Sequence, residues 1–404
     1  MKIAVIAPTQ IPALRANTLQ VMKVTQALQT IGHTVCLLAP QAPGGHMDTA
    51  AQDWNTLAHH YGLQRLFPIE WLPASARLRR YDFSWRAIRW ARRWQADLIY
   101  TRLPQAAALA SQASLPTIFE VHDMPQGVLG PRILRWFLTG KGALRLVVIT
   151  QALAADLGSR FRLPADPLFT VVAPDGVDLM RYEGLPAPHE ARLALALEAS
   201  AGQVTALRPE RFTVGYTGHL YAGRGVELLL AIAAQLPEMN FIIAGGEPQD
   251  VARVHNRVQV GHLDNILLAG FVPNADLPRY QAACDVLLMP YQRQVAASSG
   301  GDISRYLSPM KLFEYLACGR PIVSSDLPVL QEVLSSENAI LLNGEDVDAW
   351  VAALQRLEAE PDLRLRLAAR ARADAQQYSW EARAGKILPM QPAPGGKINA
   401  LINM

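Results

Sequence analysis

Short uninterrupted apolar runs recur along the chain, and between them apolar side chains return at every third or fourth position. The run KIAVIAP over Lys2–Pro8 is the first. Unbroken apolar character over so short a length predicts a strand covered on both faces, as in a parallel sheet. A loop over 9–17 follows. A helix then starts near Thr18 with Leu19, Val21, Met22, Val24, Ala27 and Leu28 on its apolar side, closes at Gly32, and leads to a second strand over Thr34–Leu38. This is a βαβ unit, the opening of a Rossmann-like domain. The same alternation predicts strands over Asp97–Arg102, Pro116–Glu120 and Leu144–Thr150, and another beginning at Val171. In the second half it predicts strands over Phe212–Tyr216, Asn240–Gly245, Ile266–Pro273, Asp285–Pro290, Ile322–Val323 and Ile340–Leu342. Helices are expected over Ser84–Trp94, Val226–Leu236, Asn274–Ala283, Ser308–Cys318, Asp346–Leu357 and Leu363–Gln376. The stretch from Ser308 to Leu334 compresses loop, helix, strand, loop and a further helix, with Ser308 as N-cap, Pro309 at the first helical position and Gly319 as the stop.

The pattern therefore predicts an α/β protein of two Rossmann-like domains. The first covers 1–185, the second 211–377, and 186–210 is a linker region rich in Pro, Ala and Leu, with 378–404 able to rejoin the first domain. No sequence repeat relates the halves. A length of 404 residues suits two domains. Half of the residues are apolar and 18% are charged, which excludes a disordered chain. A formal net charge of +3 gives no electrostatic case for nucleic acid. The three cysteines, Cys36, Cys284 and Cys318, stand apart in apolar surroundings without metal-ligand spacing, as expected of reduced, buried thiols in a cytoplasmic protein. No apolar run approaches the ~18 residues that span a bilayer, and the apolar start is too short, and too soon broken by Pro8 and Pro12, for a signal peptide.

Candidate chemistry gathers at strand ends, where open α/β sheets bind ligands. EVHD (Glu120–Asp123) leaves one such end and carries His122. YTGHLYAGRG (216–225) leaves another, and its glycines allow a ligand close to the backbone before a helix N-terminus, a phosphate cradle in principle. His219 and Arg224 are its strong donors apart from the hydroxyls. Lys311 and Glu314 lie in the first turns of the helix after Ser308. A separate helical segment over 84–94 mixes Trp85, Trp90 and Trp94 with Arg86, Arg89, Arg92 and Arg93, following Arg77, Arg79 and Arg80. That mixture suits an anionic membrane surface or an anionic acceptor, and equally a helix packed by its tryptophans with a solvated basic side. Asp346, Val347 and Asp348 form a D-x-D, which reads as helix capping and not as a metal site.

The wording SPMKLFEYLACGRPIV (308–323), with YTGHLYAGRG, resembles the family-4 retaining glycosyltransferases. That resemblance implies the GT-B architecture, two Rossmann-like domains facing an interdomain cleft. It implies metal-independent transfer of a hexose-type sugar from a UDP- or GDP-sugar to a glycan or glycolipid acceptor, in surface polysaccharide or glycolipid biosynthesis. The nucleotide sugar is then a substrate and no cofactor is needed. The implied donor-binding residues are Gly218, His219, Arg224, Ser308, Pro309, Met310, Lys311 and Glu314, with Glu314 accepting the ribose hydroxyls. His122 falls where the family carries a His near the reacting sugar. Arg15, Ala16 and Asn17 stand where the family often has a Gly pair, so that Arg15 and Asn17 meet a donor phosphate or an acceptor, or else serve only as helix cap and surface charge. The family commonly shows a second Glu separated by seven residues from the one matching Glu314, and here that position is Tyr306. A Tyr cannot accept hydroxyl hydrogen bonds as a carboxylate does, so either Asp302 or Ser308 replaces that contact, or the donor differs, or the activity is lost; Asp302 joins His122 and Lys311 as expected catalytic residues. Two other classes compete: a non-catalytic GT-B scaffold binding nucleotide or glycan, and a nucleotide-sugar epimerase. The expected location is cytoplasmic, with the Trp85–Trp94 helix a possible contact to the inner face of the cell membrane.

Overall fold

The computed structural model describes residues 1–41, 53–75, 77–78, 80–198, 207–296 and 301–389. The chain divides into two units, one of 1–174 with the segment from 380 onward, the other of 175–379.

In the first unit the apolar runs lie side by side as seven parallel strands. The order along the chain is β1 (Lys2–Ile6), α1 (Ala16–Thr30), β2 (Thr34–Pro40), α2 (Trp54–Tyr61), β3 (Ile69–Leu72), α3 (Tyr81–Arg93), β4 (Leu98–Thr101), α4 (Pro104–Gln112), β5 (Thr117–Val121), α5 (Leu129–Leu138), β6 (Ala143–Val148), α6 (Gln151–Arg160) and β7 (Thr170–Val172). The sheet runs β3-β2-β1-β4-β5-β6-β7, so its winding reverses between β1 and β4. Ile3, Ala4, Val5 and Ile6 are fully buried, which is why their stretch shows no alternation: both faces are covered by helices.

The second unit holds α7 (Pro188–Glu198), β8 (Thr213–Thr217), α8 (Val226–Gln235), β9 (Asn240–Ala244), α9 (Pro248–Val260), β10 (Ile266–Gly270), α10 (Leu277–Ala282), β11 (Val286–Met289), α11 (Met310–Cys318), β12 (Ile322–Ser325), β13 (Ala339–Leu342), α12 (Val347–Ala359) and α13 (Pro361–Ala375). Its six parallel strands run β10-β9-β8-β11-β12-β13, with the reversal between β8 and β11. Along β11 the side chains divide by period two: Leu287 and Met289 join the core with Phe313 and Tyr315, while Val286 and Leu288 join the core with Trp350 and Leu354. The last helix, α14 (Trp380–Ile387), belongs to the first unit, where it packs on α1. Arg145 of β6 fastens its end by donating to the Ile387 carbonyl at 3.0 Å.

The structure departs from the sequence reading in places with identifiable causes. Residues 175–210, read partly as first domain and partly as linker, lie in the second unit. Within them α7 is anchored by the buried Arg192, which donates to Asp285 at 2.8 Å and to the Ala283 carbonyl at 3.0 Å; residues 199–206 of that segment lie outside the described residues. Helix α11 starts at Met310, with Pro309 extended as its cap residue and no side-chain cap, so Ser308 is not the N-cap. Helix α1 starts at Ala16, two residues before the expected Thr18. Helix α10 is shorter than expected because Pro278 sits in its first turn and a hydrogen-bonded turn, Asp276 N–H to the Pro273 carbonyl at 3.0 Å, occupies the preceding residues. After β12 the chain makes turns around Leu327, Leu330 and Leu334 where a helix was expected. Asp346 caps α12 by accepting from the Ala349 N–H at 3.0 Å, the role its D-x-D was given.

Candidate active site

In the second unit, the strand ends at the reversal point bring the two sequence motifs together. β8 delivers Thr217 and Gly218; the loop to α8 carries His219, Arg224 and Gly225; α11 delivers Lys311 and Glu314 from its first turns. Gly218 has φ +134, and a Cβ there would lie 2.7 Å from Lys311 Nζ, so only glycine leaves the ammonium its place. Gly225, at φ +82, would drive a Cβ into the Pro290 carbonyl.

Lys311 is buried, with Nζ 3.8 Å from the Tyr216 ring centroid and 5.5 Å from that of Tyr291. Its ammonium has no hydrogen-bond partner among the described residues. Burial first, and then the neighbouring Arg224, hold its pKa well below the ordinary lysine value, while Glu314 pulls the other way. Arg224 lies with its guanidinium 5.4 Å from the Tyr291 ring and donates to the Tyr291 hydroxyl at 3.3 Å, and its Nε is buried without a partner. Two cations thus converge on aromatic faces, and neither is paired with a carboxylate among the described residues. His219 stacks on Tyr221 with ring centroids 4.7 Å apart and planes 6° from parallel. Burial, reinforced by Arg224 and Lys311, lowers its pKa to about 4, so it is neutral at neutral pH.

Glu314 is buried one turn further into α11, and both its oxygens are occupied. Asn274 donates to Oε1 at 3.3 Å and Gln281 to Oε2 at 3.2 Å. Asn274 is itself held by Arg181, which donates to its Oδ1 at 2.7 Å, and Gln281 reaches Thr217 Oγ1 at 3.2 Å. Each carboxylate oxygen accepts further bonds, so this lattice orients Glu314 while leaving it capacity for hydroxyl donors.

In the first unit, β5 ends in Glu120 and Val121, and His122 follows. The His122 side chain is 20% exposed, and its Nε2 lies 2.5 Å from Glu120 Oε1. Glu120 also accepts from Gln20 of α1 at 2.7 Å, from the Tyr100 hydroxyl of β4, and from Arg383 of α14 at 2.8 Å. Arg102 donates to Gln20 Oε1 at 3.0 Å. Burial and Arg102 lower the His122 pKa to about 4 against the pull of Glu120. Arg383, with help from His122, keeps Glu120 ionised well below the carboxylate range although burial opposes it.

The remaining expected residues are placed differently. Asp302 is exposed and serves its own loop: it accepts from the Val295 N–H at 2.9 Å and from the Ser304 N–H at 2.9 Å, and these bonds lower its pKa. In this structure it is a turn-forming carboxylate, bonded within its own loop; its neighbours Ser298, Ser299 and Gly300 lie outside the described residues. Ser308 Oγ accepts from the Asp175 N–H at 3.3 Å, and Ser308, Pro309 and Met310 are half-buried at the entry to α11. Tyr306 is buried. In the first unit Arg15 is exposed and is the cap residue of α1 without a side-chain bond, while Asn17 is half-buried, 3.5 Å from the Thr9 hydroxyl.

Sequence reasoning missed the supporting residues: Tyr216 and Tyr291 around Lys311, Asn274 and Gln281 on Glu314, and Tyr100, Gln20 and Arg383 on Glu120. A polar residue inside an otherwise apolar strand, as Glu120 is in β5, was the available signal for the last group. The Trp/Arg segment is α3. Its fully buried side is Phe83, Ala87, Ile88 and Ala91, with the half-buried Trp90 and Trp94 packed against that core; Trp85 is 55% exposed and Arg89 lies over it at 5.4 Å. Arg79 lies outside the described residues. No described helix is long and apolar enough to cross a membrane.

This pair of doubly wound units has relatives. The family described as Glycosyltransferase Family 4 matches residues 19–181, and the family described as Glycosyl transferases group 1 matches residues 211–360. A D-inositol 3-phosphate glycosyltransferase from Xylanimonas cellulosilytica is 28% identical over 304 residues, which are 74% of this chain and 66% of that protein. A phosphatidyl-myo-inositol mannosyltransferase from Mycolicibacterium smegmatis is 23% identical over 410 residues, 98% of this chain and 95% of the relative. Among solved structures, sucrose-phosphate synthase from Thermosynechococcus elongatus superposes with a TM-score of 0.68 at 21% identity, covering 96% of this chain and 97% of its own. Anabaena Alr3699/HepE, in complex with UDP and glucose, superposes with a TM-score of 0.67 at 19% identity, covering 96% and 98%. The fold is that of the GT-B glycosyltransferases. The chain belongs to the family-4, group 1 glycosyltransferases.

Proposed function

We propose that this protein is a retaining glycosyltransferase that moves a hexose-type sugar from a UDP- or GDP-sugar to a glycan or glycolipid acceptor, without a metal, in surface polysaccharide or glycolipid biosynthesis. The observation that carries the reading is Lys311, a buried ammonium without a hydrogen-bond partner among the described residues, set beside Arg224, whose buried Nε also lacks one. A buried charge without a partner is costly, and a diphosphate would repay it. Lys311, Arg224 and the N-terminus of α11 would stabilise charge developing on the leaving diphosphate, the task a metal performs elsewhere. Glu314 would receive the ribose hydroxyls. His122 would accept a hydrogen bond from a hydroxyl of the transferred sugar or of the acceptor. Retention requires the acceptor hydroxyl on the face the diphosphate leaves, so positioning by these groups matters more than acid–base strength. UDP with glucose on Alr3699/HepE supports a nucleotide diphosphate, and the inositol-phosphate names of the relatives support a polyol or lipid-linked acceptor.

The acceptor side of the proposal includes an anionic membrane. Trp85 and the exposed Arg86, Arg89 and Arg93 of α3 combine an interfacial ring with a basic face. Incubation with a panel of nucleotide sugars, scored for nucleotide release with and without acceptor, tests the central reading. Acceptor-dependent release from one donor is the expected result. Tight nucleotide binding with no turnover of any donor would favour a non-catalytic scaffold, the reading that the buried Tyr306 keeps open, and a change of sugar without release would favour an epimerase.

A further inference from the structure

The cluster around His122 contains more than catalysis of the family type explains. Glu120 sits inside an apolar strand, is 1% exposed, and has both oxygens filled. Oε1 takes Gln20 and His122; Oε2 takes the Tyr100 hydroxyl and Arg383. Arg383 is fixed in turn, since its Nε donates to the Pro174 carbonyl at 2.7 Å and its Nη2 to the Ala173 carbonyl at 3.2 Å. An ionised carboxylate only accepts. The proton between Glu120 and His122 therefore belongs to His122 Nε2. A neutral imidazole has one N–H, so Nδ1 is left as a lone pair, and it makes no hydrogen bond among the described residues.

We propose that Glu120 and Arg383 are positioning residues that lock His122 into the Nε2–H tautomer, so that the ring meets its substrate hydroxyl through Nδ1 as an acceptor and never as a donor. Arg383 holds Glu120 ionised, Glu120 holds the tautomer, and Tyr100 and Gln20 fix the carboxylate plane. The cation comes from α14, a segment beyond the whole second unit in sequence. The first unit thus completes its site only when the end of the chain has returned to it. The lowered pKa of His122 agrees with this: burial first, then Arg102 and last Arg383 oppose a charged ring. The substrate part of the inference rests on the glycosyl-transfer reading; the tautomer part does not.

The test is long-range proton–nitrogen NMR of the full chain with 15N-labelled histidine, joined to kinetics. The wild-type ring is expected as Nε2–H, staying neutral down to about pH 4 where an ordinary histidine protonates near 6.5. In Glu120→Gln the amide oxygen stays on Arg383 and its NH2 faces the ring, so the ring is expected to change to Nδ1–H. Replacing an orienting carboxylate by its amide in this way costs up to about 10⁴-fold in turnover, and the KM for donor should not move. In Arg383→Met the ring should titrate higher, carrying the acid limb of the pH–rate profile with it, and Arg383→Lys should restore both. A merely structural role would move neither tautomer nor acid limb. A wild-type ring in the Nδ1–H form, or charged at neutral pH, overturns the proposal, as does an unchanged tautomer in Glu120→Gln. If Arg383→Met does not fold, the wild-type and Glu120→Gln spectra still decide. If the wild-type protein transfers no sugar, the transferase reading fails and the tautomer result stands by itself.

Discussion

Two buried charge clusters, one in each unit, handle the same physical problem in opposite ways. Around Glu120 the carboxylate is fully matched: Arg383 neutralises it, and Gln20, Tyr100 and His122 fill the remaining acceptor positions. Around Lys311 two cations face aromatic rings, and the ammonium has no acceptor at all among the described residues. A saturated cluster is rigid and fixes a geometry. An unsaturated one is an incomplete site whose missing partner is an anion. The contrast separates residues that hold the machinery from residues that hold the substrate, without reference to where either lies in a motif.

The contrast is sharpest in stability, where the two clusters should respond with opposite signs. Arg383→Met leaves Glu120 buried beside neutral groups, and breaking a buried pair costs about 3–5 kcal/mol; urea unfolding should show it. Lys311→Met removes a buried charge that nothing pairs, and the ligand-free protein should become more stable by about 1–3 kcal/mol. The same Lys311→Met should lose about 10²- to 10³-fold in transfer rate, the scale of removing one stabiliser of developing negative charge. A Lys311→Met protein that is both less stable and fully active would erase the distinction.

Protonation gives the next test. The folded-state pKa of Lys311 lies below its unfolded value of 10.5. Between those two values the unfolded chain binds more protons, so the stability of the ligand-free protein should rise with pH in that window, and Lys311→Met should remove the rise. A diphosphate favours the charged ammonium, so nucleotide binding above the free-state pKa should take up a proton, measurable as a buffer-dependent heat. Glu120 gives a slope of the same sign in a lower window: its pKa is lowered, and its contribution is present above about 4.5 and lost as pH falls through its folded value. A nucleotide that binds without proton uptake in that range would mean Lys311 is already charged.

The fold was legible because parallel strands buried on both faces are continuous apolar runs, as in β1, β9 and β11. Elements with weaker signals escaped: α2 and β3 are short and half-exposed, and α9 is mostly polar. The extent of the second unit escaped for a different reason. Helix α7 looks like a spacer in composition, and only the buried Arg192, bonded to Asp285, ties it in. Of the site, Lys311, Glu314, Arg224 and His122 could be named from motifs. Their holders could not, because Arg383 and Glu120 are 263 positions apart, and Asn274 and Gln281 reach Glu314 only once α10 has packed on α11.

Asp302 is where motif reasoning and structure part, and its substitution should have the smallest effect of all. A carboxylate was expected there to replace the acceptor that Tyr306 lacks. Its oxygens instead take two backbone N–H groups and the Ser304 hydroxyl, the bonds of a loop closing on itself. The side chain is exposed, so water can replace what is lost, and Asp302→Ala should cost no more than about 1 kcal/mol. Asp302→Asn keeps an oxygen for both N–H groups and should be closer still to wild type. If the loop bonds are the whole of its role, Asp302→Asn should keep nearly all transfer activity and Asp302→Ala should lose it only as far as the loop loosens. A collapse of turnover in Asp302→Asn, with the melting temperature unchanged, would instead show that the carboxylate charge meets the sugar and would move Asp302 from the holding residues to the substrate-facing ones.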